Sequence, residues 1–393
     1  MKIKNTVLSL YCLLLIVVVQ AGSIKVNYKT TGGSSWQQNE IDAFERAAKH
    51  WAAVLNSPHE IRVDAYYRNL IAANGNDSSY LGVLGYARAN YTGSNFTSTD
   101  GKYQANTTYV VALAEKLKGS TYANVDYHIV INMNKINAIK WYFGISFSGI
   151  GSREYDFTTV VLHELAHGLG FVSSANLNST SNLAEYNQAE PHSMDRFIYK
   201  NLGAIDMTTL AASGSATHSF LTSNTLYFKG SDASSKKGGL RPQIYAPATW
   251  ISGSSLSHWH LGSFGPTNKD KLMEPQAGFA NRYFFRLVGK VTRGFMNDIG
   301  WDVLMSVDEN ILAKNIKVFP NPSARELNIY IDNDVGSLQL SIHSITGRTF
   351  YKTKLTGNQI AIPVENWNNG MYTLEILNTK TGNVHYQKFI KTN

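Results

Sequence analysis

The segment 160–171 (VVLHELAHGLGF) constrains the fold most, because it predicts one largely apolar helix that carries two histidines and a glutamate. His163 and His167 are four positions apart, so both imidazoles lie on one helical face and can reach a single metal ion. Glu164 follows the first histidine and is placed to hold a water on that metal. This spacing is typical of zinc metallopeptidases, with His163 and His167 as ligands and Glu164 as the catalytic base.

The residues at both ends of this segment predict where the helix begins and ends. Asp156 is a suitable N-cap residue, and the apolar run starts at Phe157. Gly170 can adopt the positive φ that terminates a helix. We therefore expect Gly170 to have a structural role near the site.

Residues 1–21 have the pattern of a secretory signal peptide, with Lys2 and Lys4 before an apolar core. This core, from Val7 to Val19, is shorter than the roughly 20 residues that span a bilayer, and no later segment is apolar enough. We therefore expect an exported monomer without a stable transmembrane segment. The single cysteine, Cys12, lies inside the signal, so the metal ligands have to be histidine or carboxylate.

The net charge of +8 is concentrated at the two ends of the chain. The signal carries Lys2 and Lys4, and the segment from Lys314 onwards carries nine Lys or Arg and five Asp or Glu. These segments account for +2 and +4, which leaves +2 for the residues between them. Without a dense basic patch there, a nucleic-acid partner is not expected.

The segment 24–67 predicts a strand, a helix and a second strand. Residues 24–28 and 61–67 alternate like strands, and residues 36–55 repeat apolar side chains at helical spacing. Strands joined through a helix form a crossover unit, so the helix is expected to pack on a sheet. Further elements are a short helix at 108–117, a strand at 127–132, and long surface loops around shorter ordered pieces at 173–187 and 211–239.

The composition changes after Trp301. Residues 304–315 predict a linker, and residues 316–393 consist of short alternating runs separated by turn residues. The clearest runs are 327–331, 338–342 and 372–376. This pattern predicts a small all-β sandwich domain of about 80 residues.

A catalytic zinc takes three protein ligands and leaves a fourth position for water, so the helix supplies only two of them. The pattern H-E-x-x-H-x-x-G-x-x-H places the third at position 173, which is a serine in this chain. The residues themselves leave several positions open. These are Glu185 and Glu190 in the region after the helix, His192, for which a structural role in a loop is expected, and His258 with His260 in the segment SHWH.

The segments 257–260 (SHWH) and 272–275 (LMEP) resemble those of the leishmanolysin-type metzincins, which have a long insertion before the third ligand. This resemblance implies that His258 is the third zinc ligand, with His260 as the less favoured alternative. It also implies that Met273 lies in a turn beneath the metal. The implied fold class is α+β, a zincin (metzincin-like) catalytic domain with a mixed twisted sheet and an active-site helix over residues 22–303.

The C-terminal segment resembles the sorting domain of the type IX secretion system of Bacteroidetes at residues 318–323 (VFPNPS), 346–348 (TGR), 369–372 (NGMY) and 388–391 (KFIK). The resemblance implies that residues 316–393 engage the type IX secretion machinery and that the protein is secreted or attached to the cell surface. The alternative is a carbohydrate-binding or adhesive β-sandwich. That alternative needs an exposed aromatic face, which the sequence does not show.

These patterns together predict a secreted endopeptidase with one catalytic Zn²⁺ that hydrolyses peptide bonds of extracellular proteins. Its partners would be protein or peptide substrates. The competing hypothesis is a catalytically inactive zincin-fold surface adhesin or binding protein. The presence of Glu164 together with His163, His167 and His258 argues against that alternative.

Overall fold

The computed structural model has two separate hydrophobic cores, one within residues 22–303 and one within residues 316–393. These ranges are described except for residues 31–34, 93–95, 97, 99–100, 123–124, 145–149, 202–204, 267, 277, 279–285, 332–337, 345–347, 356 and 379–383. The predicted signal peptide and the predicted linker lie outside the described residues. Each core lies within one of the two predicted domains.

The first domain mixes helices with several small sheets. Its helices are α1 Gln38–Val54, α2 Leu70–Ala73, α3 Val111–Lys118, α4 Phe157–Gly168, α5 Ser215–Leu221, α6 Ser231–Lys236 and α7 Lys290–Ile299. Its strands are β1 Ser23–Lys29, β2 Glu60–Arg68, β3 Gly85–Ala89, β4 Tyr91–Thr92, β5 Tyr109–Val110, β6 Ile129–Asn134, β7 Trp141–Tyr142, β8 Tyr155–Asp156, β9 Asn176–Leu177, β10 Ala184–Glu185, β11 Ile198–Lys200, β12 Ile205–Asp206 and β13 Leu226–Phe228.

The largest sheet of this domain has the strand order β1-β2-β6-β3. Strand β1 is parallel to β2 and β2 is parallel to β6, so the predicted strand-helix-strand crossover is confirmed. Helix α1 begins at Gln38, where the Glu40 carboxylate accepts a hydrogen bond from the N–H of Gln37 at 2.8 Å. Strand β3, which the sequence did not predict, pairs antiparallel with β6 and forms the edge.

The histidine-bearing helix α4 is held in its middle and at its C-terminal end by tryptophans from distant parts of the chain. The indole N–H of Trp51 donates to the carbonyl of Leu162 at 2.9 Å, and that of Trp301 donates to the carbonyl of Leu169 at 2.8 Å. Near its C-terminal end α4 approaches β6 so closely that a Cβ at Gly168 would lie 2.4 Å from a methyl group of Ile129. A larger residue at position 168 would push α4 away from the sheet.

The predicted ends of α4 are confirmed. The Asp156 carboxylate accepts a hydrogen bond from the N–H of Thr159 at 3.0 Å, which makes Asp156 the N-cap. The same carboxylate accepts from Arg286 Nε at 2.9 Å, so the cap is part of a buried ion pair. Gly170 has φ of 113°, and the chain turns away from the helix at this residue.

The residues after α4 form short ordered pieces joined by loops, as the composition indicates. Strands β9 and β10 form one hairpin, and β11, β12 and β13 form a three-stranded antiparallel sheet. Helices α6 and α7 lie against each other, and the carboxylate of Asp298 accepts hydrogen bonds from the N–H groups of Asp232 and Ala233. This contact joins the insertion to the end of the domain.

The second domain is the predicted β-sandwich. Its strands are β14 Ile316–Phe319, β15 Glu326–Ile331, β16 Leu338–Ser344, β17 Thr349–Leu355, β18 Gln359–Pro363, β19 Gly370–Asn378 and β20 Val384–Lys391. They form two antiparallel sheets in the orders β14-β15-β18 and β17-β16-β19-β20. Leu327 and Ile329 from one sheet share a core with Leu340, Leu374 and Phe389 from the other.

A helix that spans a membrane must be about 20 residues long and predominantly apolar. None of the helices in the described part of the chain meets both requirements.

His50 on α1 makes a partly buried hydrogen bond, and its environment predicts that the folded protein loses stability in acid. Its Nε2 accepts a hydrogen bond from the N–H of Val288 at 3.0 Å, and burial, with Arg293 and Lys269, lowers its pKa to about 3. Between about pH 6.5 and pH 3, His50 is protonated in the unfolded chain but neutral in the folded protein. Each unit by which the pH falls in this range therefore lowers the free energy of unfolding by about 1.4 kcal/mol. His50→Gln keeps an acceptor but binds no proton, so its free energy of unfolding should fall less steeply between about pH 6 and pH 4.

Urea unfolding of the metal-free protein and of His50→Gln, across this pH range, measures the two slopes. Parallel pH profiles of the two proteins would contradict the assignment.

Candidate metal centre

Three imidazoles meet at the floor of a cleft beside α4. His163 and His167 come from α4, and His258 comes from a loop that is 95 positions from His163. Nε2 of His163 lies 3.0 Å from Nε2 of His167 and 3.2 Å from Nε2 of His258. Their possible ligand atoms all lie within 4.8 Å of one another. The structure therefore brings together the three histidines that the sequence and the resemblance indicate.

Each of these imidazoles is oriented by a backbone carbonyl at its other nitrogen. Nδ1 of His163 lies 2.6 Å from the carbonyl of Leu272, and Nδ1 of His167 lies 2.7 Å from that of Phe171. Nδ1 of His258 lies 2.8 Å from the carbonyl of Ser254. A carbonyl only accepts hydrogen bonds, so each Nδ1 carries the proton and donates. Each Nε2 then presents a lone pair to the other two.

The electrostatics of the cluster favour neutral rings. Burial lowers the pKa of His163, lowers that of His167 to about 3 and lowers that of His258 well below its ordinary value. Three lone pairs that face one another without a proton repel each other, and a cation between them removes this repulsion. Tetrahedral zinc at a Zn–N distance of about 2.0–2.1 Å separates its ligand nitrogens by about 3.3 Å. The observed separations fit this ion.

Glu164 lies next to the histidine cluster and lines the same cleft. Burial raises its pKa to about 8, and a hydrogen bond from the N–H of Ala87 on β3 offsets part of this effect. A dication held by the adjacent imidazoles would favour the carboxylate form. The arrangement supplies one proton acceptor beside a site with room for water.

Met273 lies in a backbone segment that contacts both α4 and the segment of the third histidine. It ends the 3-10 turn Lys269–Met273 and is fully buried. The carbonyl of the preceding Leu272 accepts from His163, and the carbonyl of Met273 accepts from the N–H of Trp259 at 2.8 Å. This turn therefore connects the first histidine with the residue after the third, and the position of Met273 beneath a bound metal stays a prediction.

The other histidines and carboxylates considered as third ligands lie outside the cluster. The Glu185 carboxylate accepts a hydrogen bond from the side-chain amide of Asn178 at 3.0 Å. Glu190 lies in a loop, where its backbone carbonyl accepts a hydrogen bond from the hydroxyl of Thr108. His192 stacks on Tyr91 with ring centroids 4.6 Å apart, in agreement with its predicted structural role. The His260 ring lies 6.4 Å from the ring of Tyr245 and, like these residues, is absent from the described cluster.

A cleft of about 1080 Å³ passes over the three histidines. Its lining includes residues 85–87 of the edge strand β3, Trp250 and the loop before His258. On the side of β3 that faces β6, the carbonyl of Leu84 accepts a hydrogen bond from the N–H of Asn134, and the N–H of Asn90 donates to the carbonyl of His128. The N–H of Ala87 points the other way, to Glu164. Because peptide groups alternate along a strand, the outward groups of Gly85, Ala87 and Ala89 face away from β6.

Each of the two domains matches a known protein family over part or all of its length. Residues 317–392 match the secretion system C-terminal sorting domain. The predicted type IX sorting domain is thus confirmed, and the protein is exported to the cell surface or the extracellular space. Residues 21–232 match the sequence profile described as SPBPB7E8-like, which includes α4 and ends before His258.

Individual relatives match smaller parts of the chain. An endo-acting ulvan lyase of Formosa agariphila is 32% identical over 88 residues, which are 22% of this chain and 17% of that enzyme. The chain thus spans about a sixth of the length of this curated relative.

Two solved structures cover similarly small parts. PorZ, a surface component of the type IX secretion system of Porphyromonas gingivalis, has 14% identity and a TM-score of 0.20, over 24% of this chain and 14% of PorZ. A DUF3244-family protein with an immunoglobulin-like β-sandwich fold from Bacteroides vulgatus has 22% identity and a TM-score of 0.18. The match covers 20% of this chain and 84% of that protein.

Proposed function

We propose that this chain, which belongs to the SPBPB7E8-like family, is a zinc-dependent endopeptidase that acts outside the cell. The observation that carries the proposal is the convergence of three imidazoles, each anchored at Nδ1 and each with Nε2 towards the other two. Glu164 in the same cleft adds the proton acceptor that hydrolysis requires. A site built only for structural zinc usually has a fourth protein ligand.

Zinc is the metal that this donor set fits best. Nε2 of His163 lies 3.0 and 3.2 Å from the other two nitrogens, which suits a tetrahedral ion, and no fourth histidine, carboxylate or thiol joins the cluster among the described residues. His163, His167 and His258 would hold the ion. When bound, it would lower the pKa of a water towards about 7 and polarise a peptide carbonyl.

Glu164 would move the protons of the reaction. It accepts a proton from the attacking water as the C–O bond forms, and it then delivers that proton to the amine that leaves as the C–N bond breaks. The N–H of Ala87 holds the carboxylate in place during both steps.

The edge strand β3 supports an extended peptide as the substrate. The outward peptide groups of Gly85 and the outward carbonyl of Ala87 lie along the cleft wall, where they can pair with the backbone of an added strand, while the N–H of Ala87 stays with Glu164. Such pairing recognises main chain rather than side chains, which suits proteins with varied sequences. The mixed sheet, the helix α4 and the turn at Met273 are consistent with the leishmanolysin-like metzincin arrangement that the sequence indicates.

The test is hydrolysis by the purified full chain of casein and of quenched fluorescent peptides. We expect one zinc per chain by elemental analysis, loss of hydrolysis after treatment with a chelator, and recovery after addition of zinc. A chain that binds one zinc per molecule but hydrolyses none of these substrates would contradict the peptidase and favour an adhesin or binding protein. Hydrolysis that survives complete metal removal would contradict the metal mechanism.

A further inference from the structure

Ser173 stands where the more common metzincin spacing would place the third histidine, and here it contacts the loop that supplies His258. The N–H of Ser173 donates to Oγ of Ser257 at 3.1 Å. Ser257 directly precedes His258, so this hydrogen bond joins the segment after α4 to the segment of the third histidine. A contact between residues 84 positions apart thus lies one residue from the metal cluster.

The position of Ser173 is itself set by a fully buried carboxylate. Asp195 accepts from the hydroxyl of Ser173 at 2.6 Å and from both the N–H and the hydroxyl of Ser174, at 3.0 and 2.6 Å. It also accepts from the N–H of His192 at 3.0 Å. Four donors therefore converge on Asp195 and connect the turn after α4 with the start of the insertion.

The loop before His258 has a conformation that needs such external support. Leu256 is fully buried and has φ of 62°, in the left-handed region that bulky residues rarely adopt. Its N–H donates to the carbonyl of Tyr245, and the N–H of Tyr245 donates to the carbonyl of His258. The carbonyl of Ser254 in the same loop orients His258. Tertiary contacts therefore hold both the loop and its carbonyl in place.

We propose that Ser257 and Asp195 are positioning residues for the third histidine, through the hydrogen bonds that join Asp195, Ser173 and Ser257. This inference rests on the metal site of the proposed function and concerns the affinity and geometry of that site. The hydroxyl of Ser257 fixes the start of the segment that presents Nε2 of His258. Asp195 fixes the turn from which the N–H of Ser173 reaches that hydroxyl.

A matched pair of substitutions at Ser257 tests the role of its hydroxyl in the full-length protein. Ser257→Thr keeps the acceptor, whereas Ser257→Val has the same shape as threonine but accepts no hydrogen bond. We expect Ser257→Thr to bind zinc within about twofold of wild type and Ser257→Val to bind about tenfold more weakly. Competition with a chromophoric chelator measures the affinity, and the absorption spectrum of the cobalt-substituted protein reports the ligand geometry.

Equal zinc affinities and equal cobalt spectra of the Thr and Val variants would overturn the role of Ser257. Asp195→Asn replaces one acceptor oxygen by a donor, either at Oδ1, which accepts from the hydroxyl of Ser173, or at Oδ2, which accepts from Ser174 and His192, so it should also weaken zinc binding about tenfold. A folded Asp195→Asn protein with wild-type affinity would overturn the role of Asp195; if this variant does not fold, the Ser257 pair decides. All these measurements omit substrate, so a chain that binds zinc without hydrolysing peptides would contradict the peptidase and leave this inference intact.

Discussion

Glu164→Ala is expected to lower kcat/KM for peptide hydrolysis by about 10²–10⁴-fold while the protein still binds one zinc. The side chain contributes no nitrogen to the three-histidine cluster, so its removal leaves the ligands in place. It does remove the buried carboxylate that accepts the hydrogen bond from Ala87 and faces the cleft. Kinetics on a quenched peptide, together with zinc content by elemental analysis, measures both effects.

Two controls sharpen this experiment. Glu164→Gln keeps the size of the side chain but binds no proton, so it should lose as much activity as Glu164→Ala. Glu190→Ala, in a loop outside the cluster, should retain wild-type turnover. Turnover by purified Glu164→Ala at the wild-type rate would show that another group accepts the proton.

His258→Ala is expected to weaken zinc binding by at least about 100-fold and to abolish hydrolysis at limiting zinc. The substitution removes one of three nitrogens and leaves His163 and His167, which one helix presents at adjacent turns. It also removes the imidazole N–H that donates to the carbonyl of Ser254. Equilibrium dialysis against zinc, followed by peptide hydrolysis at matched zinc occupancy, separates lost affinity from lost chemistry.

The matched control is His260→Ala, two residues further along the chain. The His260 ring is outside the described cluster, so this variant should bind zinc and hydrolyse peptides like wild type. Full zinc occupancy in His258→Ala together with lost zinc in His260→Ala would reverse the ligand assignment. Melting temperatures of both metal-free variants establish that the comparison is between folded proteins.

The sequence predicted the elements of the first domain where periodicity is strong. The alternation at residues 24–28 and 61–67 and the helical spacing between them predicted the crossover, because both patterns reflect which side faces the core. Strand β3 escaped prediction, because GYARA is short and partly exposed at a sheet edge. Its place beside β6, which gives the cleft its wall, is a long-range pairing without a local signal.

For the site, the local sequence was sufficient to predict the helix α4 and its three site residues, His163, Glu164 and His167. Asp156, the apolar run and Gly170 specify where α4 begins and ends, and a spacing of four residues places His163 and His167 on one face. These features depend on neighbours in the sequence, so the sequence by itself was sufficient for them. The resemblance added His258 and Met273 as expectations.

Only the tertiary structure decided how the third histidine reaches the other two. The contact between His258 and His163 spans 95 positions, and it depends on a loop held by Leu256, Ser257 and the buried Asp195. It also decided the tautomer of His163, because the carbonyl that orients this ring belongs to Leu272, 109 positions away. A helix repeats at short range and can be recognised locally, whereas a metal site closed by a distant loop exists only after the whole domain has packed.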